Sequence, residues 1–188
     1  PEPFLGFGDP LLTSRKDDLH KSDLSSLFTS SKDDPHKSDR SSSVRGAVAD
    51  VEEVRKLFYR LPETAQELQT IARTLGAPKE SVFLREEATE KKVKSMDLNN
   101  ARIIAFATHG LISGEMKGLA EPALVLTPPE VGSLEDDGLL TASEIAQLKL
   151  DADLVILSAC NTASSDGKPG AEGLSGLARS FFYAGARS

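Results

Sequence analysis

The chain has 188 residues, of which 39% are hydrophobic and 27% charged, a composition typical of one globular domain with a sizeable core. Its net charge of -7 argues against duplex nucleic acid as a main partner, and no apolar run approaches the roughly 20 residues of a membrane span. Its single cysteine excludes an intrachain disulfide. The first residues lack the basic and long apolar regions of a signal peptide, and we expect a reducing, cytoplasmic location without a membrane partner.

The chain opens with a predicted strand and turn over Phe4–Pro10, and a polar segment follows. Residues 14–43 are rich in serine and charged side chains, and the stretch that begins at Lys16 recurs, with one change, at Lys32. Such a segment buries too little apolar surface to offset the entropy lost on ordering it. Residues 14–43 are therefore predicted to be a disordered insertion in the domain.

Beyond Val51, predicted helices and strands alternate. Thr64 with Glu67, and Thr141 with Glu144, have the spacing of capping boxes that begin helices. The predicted elements are a helix to Leu75 stopped by Gly76 and Pro78, a strand Val82–Leu84, a helix from Thr89 to about Leu98, a strand to Thr108, a strand Ala123–Leu126, a turn at Asp136–Gly138, a helix from Thr141 to about Leu148, a strand to Ala159, and a helix from about Leu174 to Ala184. This alternation predicts an α/β protein with a parallel sheet between two layers of helices.

A histidine and the only cysteine follow two apolar runs of this pattern. His109 comes after Ile103–Thr108, and Cys160 comes after Leu154–Ala159, 51 positions later. Both runs are predicted to be parallel strands buried on both faces, and chemistry in open α/β sheets collects at the carboxyl ends of such strands. Taken singly, each residue is more often structural. Together, a thiol and an imidazole at one edge suggest a cysteine nucleophile with a histidine partner.

Gly110 follows the histidine directly and permits close approach of the backbone to a ligand. The N–H groups of Gly110 and Cys160 are candidate donors to a developing oxyanion. An imidazolium at His109 would raise the thiolate fraction of the cysteine, and the ring could return a proton to the leaving amine. The sequence assigns no third group that orients the histidine.

No cofactor or metal is expected. The segment Gly167–Gly170 lacks the glycine spacing and the Ser/Thr of a phosphate-binding loop. His20 and His36, each near aspartates, are interpreted as parts of a solvated loop rather than as metal ligands. Asp136 and Asp137 are interpreted as turn residues rather than as a pair of catalytic acids.

Several segments carry a resemblance to a known family. They are Ala107–Gly110, Asp137–Glu144, Leu157–Thr162, Glu172–Arg179 and Phe182–Ala186. In this order they resemble the CHAT domain, the caspase-like peptidase domain usually found behind tetratricopeptide repeats in bacteria. The resemblance covers about Phe4 to Ser188 apart from the insertion, and the His-to-Cys separation is close to the roughly 50 residues of caspases.

The resemblance implies a three-layer sandwich of the caspase and separase type with a mostly parallel central sheet. It implies a Cys–His dyad that cleaves peptide bonds, with His109 and Cys160 on the dyad positions and Gly110 beside the oxyanion site. The family continues past the position of Ser188 into strands that help to wall the specificity pocket. We therefore expect a sandwich incomplete at its C-terminal side, and a poor enzyme when this piece is taken alone.

The leading interpretation is a cysteine endopeptidase domain that acts on protein or peptide substrates. The resemblance adds the expectation that tetratricopeptide-like repeats elsewhere in the parent chain bind partners and regulate it. Two alternatives stay open. One is a non-catalytic interaction or scaffold module on the same fold, and the other is a cysteine hydrolase or acyltransferase of another substrate class, because a dyad does not define the acyl group.

Overall fold

The structure is a computed structural model that describes residues 2–13, 48–158 and 171–188. The predicted insertion at 14–43 and the nucleophile candidate Cys160 lie outside the described residues. The elements within them are β1 (Leu5–Pro10), α1 (Val51–Leu57), α2 (Pro62–Thr74), β2 (Val82–Arg85), α3 (Glu90–Ser95), β3 (Ile103–Ala107), β4 (Gly110–Leu111), β5 (Ala123–Val125), β6 (Leu139–Thr141), α4 (Ala142–Ile145), β7 (Leu154–Leu157) and α5 (Ala171–Ala184). Short 3₁₀ turns at Lys79–Ser81 and Leu98–Asn100 lead into β2 and β3.

Four of these strands form the main sheet in the order β2-β1-β3-β7, and every neighbouring pair is parallel. In its register, Phe106 of β3 lies between Phe7 of β1 and Leu157 of β7. A second, antiparallel sheet has the order β4-β5-β6. The parallel sheet confirms the predicted α/β class, whereas the small antiparallel sheet was not predicted.

Alternate residues of the central strands pack on opposite faces of the sheet, as the two-residue period of a strand requires. On one face, Phe7 stacks between Phe83 and Phe106 with ring centroids 5.1 and 5.3 Å away, and Phe181 of α5 packs on Phe106. Buried side chains of α3 and α4 complete the same cluster. On the opposite face, Leu68 and Ala72 of α2 pack against a second cluster. Helices on both faces confirm the predicted three layers.

Helix α2 lies very close to β1. A Cβ atom placed on Gly8 would lie 2.6 Å from Leu68 Cδ1 and 2.8 Å from the Ala107 carbonyl oxygen. Glycine at this position therefore lets the helix approach the carboxyl ends of β1 and β3. This close packing brings the first turn of α2 to the edge of the sheet at which β3 ends.

The beginning of α2 differs from the prediction. The helix begins at Pro62, and Leu61 precedes it without a side-chain cap, so the capping box predicted for Thr64 and Glu67 is wrong. Proline is well suited to a first helical position because it lacks an N–H that would go unbonded there. Thr64 instead accepts a hydrogen bond from the N–H of Asp9 at 3.0 Å and donates to the Leu61 carbonyl at 2.7 Å.

Other caps were predicted correctly. Thr89 accepts from the N–H of Lys92, although α3 ends at Ser95 rather than near Leu98. Thr141 and Glu144 form the predicted capping box at the start of α4. These signals are local in the chain, which explains why the sequence alone revealed them.

Strand β7 is half-buried along its whole length, so its predicted burial on both faces is wrong. It is a terminal strand among those described, and it pairs with β3 on one side. On its other side, the N–H of Val155 donates to the carbonyl of Ser188 at 2.8 Å. The apolar composition of β7 indicated a strand, but the position of that strand in the sheet determines how far its side chains are buried.

Gly185, which follows α5, lies close to the backbone of Leu150, and a substitution tests how tightly the two are packed. Its φ is +114°, and a Cβ atom there would lie 2.2 Å from the Leu150 carbonyl oxygen. We expect Gly185→Ala to lower the free energy of unfolding by about 2–4 kcal/mol, since backbone strain and overpacking add. Gly76 has a φ of +70° with no heavy atom within 4 Å of the added Cβ, so Gly76→Ala is the matched control and should cost only about 1 kcal/mol. If urea unfolding shows that both variants lose the same free energy of unfolding, the backbone at Leu150 shifts to accommodate the added methyl group.

Candidate active site

His109 lies two residues past the end of β3, at the carboxyl edge of the parallel sheet. Its backbone is held by β5, because the N–H of Val125 donates to the His109 carbonyl at 2.9 Å. The hydroxyl of the preceding Thr108 donates to the carbonyl of Val125. Two successive residues are thus anchored to the antiparallel sheet, and the imidazole is carried at the point where the two sheets meet.

The imidazole is enclosed by aromatic side chains and bonded to the backbone. Its ring centroid lies 5.3 Å from that of Phe58 and 5.0 Å from that of Tyr59, which it meets edge-on. The Nε2 atom lies 2.7 Å from the Tyr59 carbonyl oxygen. A carbonyl oxygen only accepts, so this hydrogen bond assigns the proton of the neutral ring to Nε2 and leaves Nδ1 unprotonated.

The Tyr59 carbonyl is the orienting group that sequence reasoning did not assign. It belongs to the segment between α1 and α2, 50 positions before His109. Every residue carries a backbone carbonyl, so no residue type in the sequence could have indicated this one.

Burial lowers the pKa of His109, while the hydrogen bond to Tyr59 and the charge of Glu63 act in the opposite direction. The side chain is fully buried. The ring is therefore neutral near pH 7, in contrast to the imidazolium expected from the sequence. A neutral imidazole with unprotonated Nδ1 is suited to take a proton rather than to stabilise a pre-formed thiolate.

The lowered pKa of His109 predicts a loss of stability in acid. An unfolded histidine has a pKa of about 6.5, so below that pH the unfolded chain binds a proton that the native ring resists. Stability should therefore fall as the pH decreases from about 7 to 5. In His109→Gln, which does not titrate in this range, the urea midpoint should fall less over the same interval. Parallel pH profiles of the two proteins would refute this linkage.

Gly110 occupies the first position of β4, opposite Leu124 of β5. The N–H of Val125 donates to the His109 carbonyl, so Gly110 and Leu124 form a non-hydrogen-bonded pair of the antiparallel ladder. In such a pair, neither residue donates its N–H to the opposite strand. The N–H of Gly110 consequently points away from β5. The described ladder between β4 and β5 therefore does not use the N–H of Gly110.

Cys160 lies outside the described residues, and the structure gives no distance from it to His109. Strand β7, which precedes it, pairs with β3 so that Leu157 lies opposite Phe106. His109 and Cys160 each come three positions after these paired residues. The last described residue before the gap, Ser158, donates its N–H to the Phe106 carbonyl at 2.9 Å, so the described ends of the two strands lie side by side.

The two aspartates interpreted as turn residues differ in their partners: Oδ1 of Asp136 is buried without a hydrogen-bond partner, whereas Asp137 is bonded to the backbone. The carboxylate of Asp137 accepts from the N–H groups of Ala49 at 2.7 Å and Leu139 at 3.0 Å, in the loop predicted as a turn. Glu90, which sequence reasoning missed, is buried beneath this loop and bonded to Lys94. Among the described residues, no three His, Cys, Asp or Glu side chains form a group suited to a metal ion. No helix in the described part of the chain is long and apolar enough to cross a membrane.

These features define an α/β three-layer protein with a buried, oriented histidine at the carboxyl edge of a parallel sheet. The family model of the CHAT domain matches residues 9–188. The chain therefore belongs to the CHAT domain family. A search of curated proteins found no match to it.

Proposed function

We propose that this protein is a cysteine endopeptidase domain in which Cys160 is the nucleophile and His109 the general base. The observation that carries the proposal is the register of β3 and β7, whose paired residues Phe106 and Leu157 each precede one member of the dyad by three positions. Neighbouring parallel strands deliver the residues that follow them to one edge of the sheet. The tautomer of His109 adds support, because its unprotonated nitrogen is the atom that a base needs.

In the proposed reaction, Nδ1 of His109 accepts the proton of the Cys160 thiol. The resulting thiolate attacks the carbonyl carbon of the scissile peptide bond. The N–H of Gly110 donates to the oxyanion of the tetrahedral intermediate. The intermediate collapses as the imidazolium returns its proton to the leaving amine, and water then hydrolyses the thioester through the same base.

A second candidate function is a non-catalytic interaction module. The complete burial of His109 favours it, because a base that serves a substrate must reach the reacting atoms. For either function, we propose that tetratricopeptide-like repeats in the parent chain are the regulatory partner and that a protein or peptide is the ligand.

A peptide-based thiol-reactive probe separates the two functions. In an endopeptidase, a library of peptidyl acyloxymethyl ketones should label the native parent protein at Cys160, as read by intact mass. Cys160→Ser should abolish the labelling. Iodoacetamide applied after unfolding is the control that shows the thiol to be intact. Labelling that appears only after unfolding would refute the endopeptidase and support the interaction module.

A further inference from the structure

An ion pair stands at the same edge of the sheet as His109. Asp9 lies near the end of β1, one residue past Gly8, which pairs with Ala107 of β3. The Asp9 side chain is 4% exposed, and that of Arg60 is 33% exposed. Arg60 donates from Nε to Asp9 Oδ1 at 3.2 Å and from Nη2 to Oδ2 at 2.6 Å. This bidentate geometry sets the orientation of both groups as well as their separation.

The backbone of Asp9 is held in the left-handed region, with a φ of +43°. That conformation is unfavourable for a residue other than glycine, so the surroundings must compensate for it. They do so through Thr64, whose hydroxyl accepts from the Asp9 N–H and donates to the Leu61 carbonyl. Asp9 therefore contacts the segment before α2 twice: its side chain binds Arg60, and its N–H reaches Leu61 through Thr64.

The first contact falls directly on Arg60 and the second reaches Leu61 through Thr64, so both link Asp9 to residues 58–61, the segment that carries the hydrogen-bond acceptor of His109. Tyr59, whose carbonyl bonds Nε2, lies directly before Arg60. We infer that Asp9 is a positioning residue: with Arg60 it anchors residues 58–61 so that the Tyr59 carbonyl holds the imidazole in one orientation and one tautomer. The consequence for catalysis rests on the proposed function, but the effect on the ring does not.

The chain offers a matched control for an ion pair of the same types. Arg102 donates from Nε and Nη2 to Asp153 at 2.9 and 2.8 Å, with side chains 65% and 40% exposed. These residues lie at the amino ends of β3 and β7, the opposite edge of the sheet from His109. If the loss of any Arg–Asp pair altered the His109 ring, breaking either pair would change the ring spectrum. A positioning role predicts that only the loss of the Asp9–Arg60 pair changes it.

The test compares Asp9→Asn/Arg60→Met with Arg102→Met/Asp153→Asn. Each pair of changes leaves the net charge unaltered, and asparagine tolerates the left-handed backbone at position 9. The readout is the ¹⁵N spectrum of the His109 ring in the 188-residue chain, with His20 and His36 replaced by glutamine so that His109 is its one remaining histidine. In the first double variant we expect Nε2–H exchange with water to become about tenfold faster, the effect of losing one ordinary hydrogen bond. Mixed tautomers should also appear. The control double variant should keep the wild-type spectrum.

Arg60→Lys, which keeps the charge without the planar fork, provides a second measurement and should give an intermediate exchange rate. If the double variant does not fold, the Arg60→Lys spectrum decides. An unchanged ring signal in the folded variants would overturn the inference. Alkylation of Cys160 is followed in the same samples. A changed ring with unchanged alkylation would leave the positioning role intact and refute the coupling of His109 to Cys160 on which the proposed function depends.

Discussion

His109→Gln in the parent protein should lower kcat/KM for peptide cleavage by about 10²–10⁴-fold, the usual contribution of a general base. Glutamine supplies an N–H donor for the Tyr59 carbonyl, so the buried environment keeps a hydrogen bond while the proton acceptor is lost. Alkylation of Cys160 by iodoacetamide near pH 7 should slow as well, because less thiolate forms. Both rates are measured on samples whose circular dichroism spectra match that of the wild type.

Two comparisons sharpen this expectation. His20→Gln, in the predicted solvated insertion, is the matched control and should leave both rates unchanged. Cys160→Ala should reduce cleavage to the background rate, and adding His109→Gln should not lower that rate further, since the two residues act as one unit. Full cleavage by either His109→Gln or Cys160→Ala would refute the proposed catalytic dyad.

Lys94→Met should destabilise the fold by about 3–5 kcal/mol, the cost of leaving a buried charge without its partner. The Lys94 ammonium lies between the carboxylates of Glu90 and Glu144, and the Glu90 side chain is 1% exposed. The other oxygen of Glu90 accepts from the N–H groups of Asp137 and Gly138 at 2.8 and 3.1 Å. These bonds join α3 to the loop before β6, so the loss should appear as a lower midpoint of cooperative urea unfolding.

The pH dependence of this loss identifies its cause. Burial raises the pKa of Glu90 to about 7, although the Lys94 ammonium and the Asp137 N–H act to lower it. Without Lys94 that pKa should rise further, so the native carboxyl of the variant keeps its proton at pH values at which the carboxyl of the unfolded chain has already ionised. The native state then binds the proton more tightly than the unfolded chain, and stability falls as the pH rises. The deficit should therefore be larger at pH 8 than at pH 5.

Arg102→Met, which breaks the exposed pair with Asp153, is the control for Lys94→Met. It should cost far less than Lys94→Met, because solvent screens an exposed ion pair. A deficit of Lys94→Met that is as small as this, or the same at both pH values, would show that Glu90 is not a buried charge compensated by Lys94.

The sequence alone predicted much of the frame that holds the site. The apolar runs before His109 and Cys160 indicated two strands, and the alternation with helices predicted a parallel, three-layer arrangement. The glycines at 76 and 185 marked helix ends, and both have the positive φ that such ends adopt. These features depend on the composition of a few successive residues, and such local patterns remain visible without any knowledge of the fold.

The tertiary structure alone decided which groups surround the histidine. The Tyr59 carbonyl and the bridge from Asp9 through Thr64 join positions about 50 residues apart, and the ion cluster of Glu90 joins helices 50 residues apart. Thr64 looked like a cap because its spacing to Glu67 is right, yet its hydroxyl accepts from the N–H of Asp9 near the end of β1.

Strand burial was also decided by the tertiary structure. Strand β7 is half-buried because of its position in the sheet, and the two-residue strand Gly110–Leu111 depends on its pairing with β5. Long-range contacts of this kind depend on where the backbone runs, and the backbone is chemically the same at almost every residue, so its partners carry no mark in the sequence.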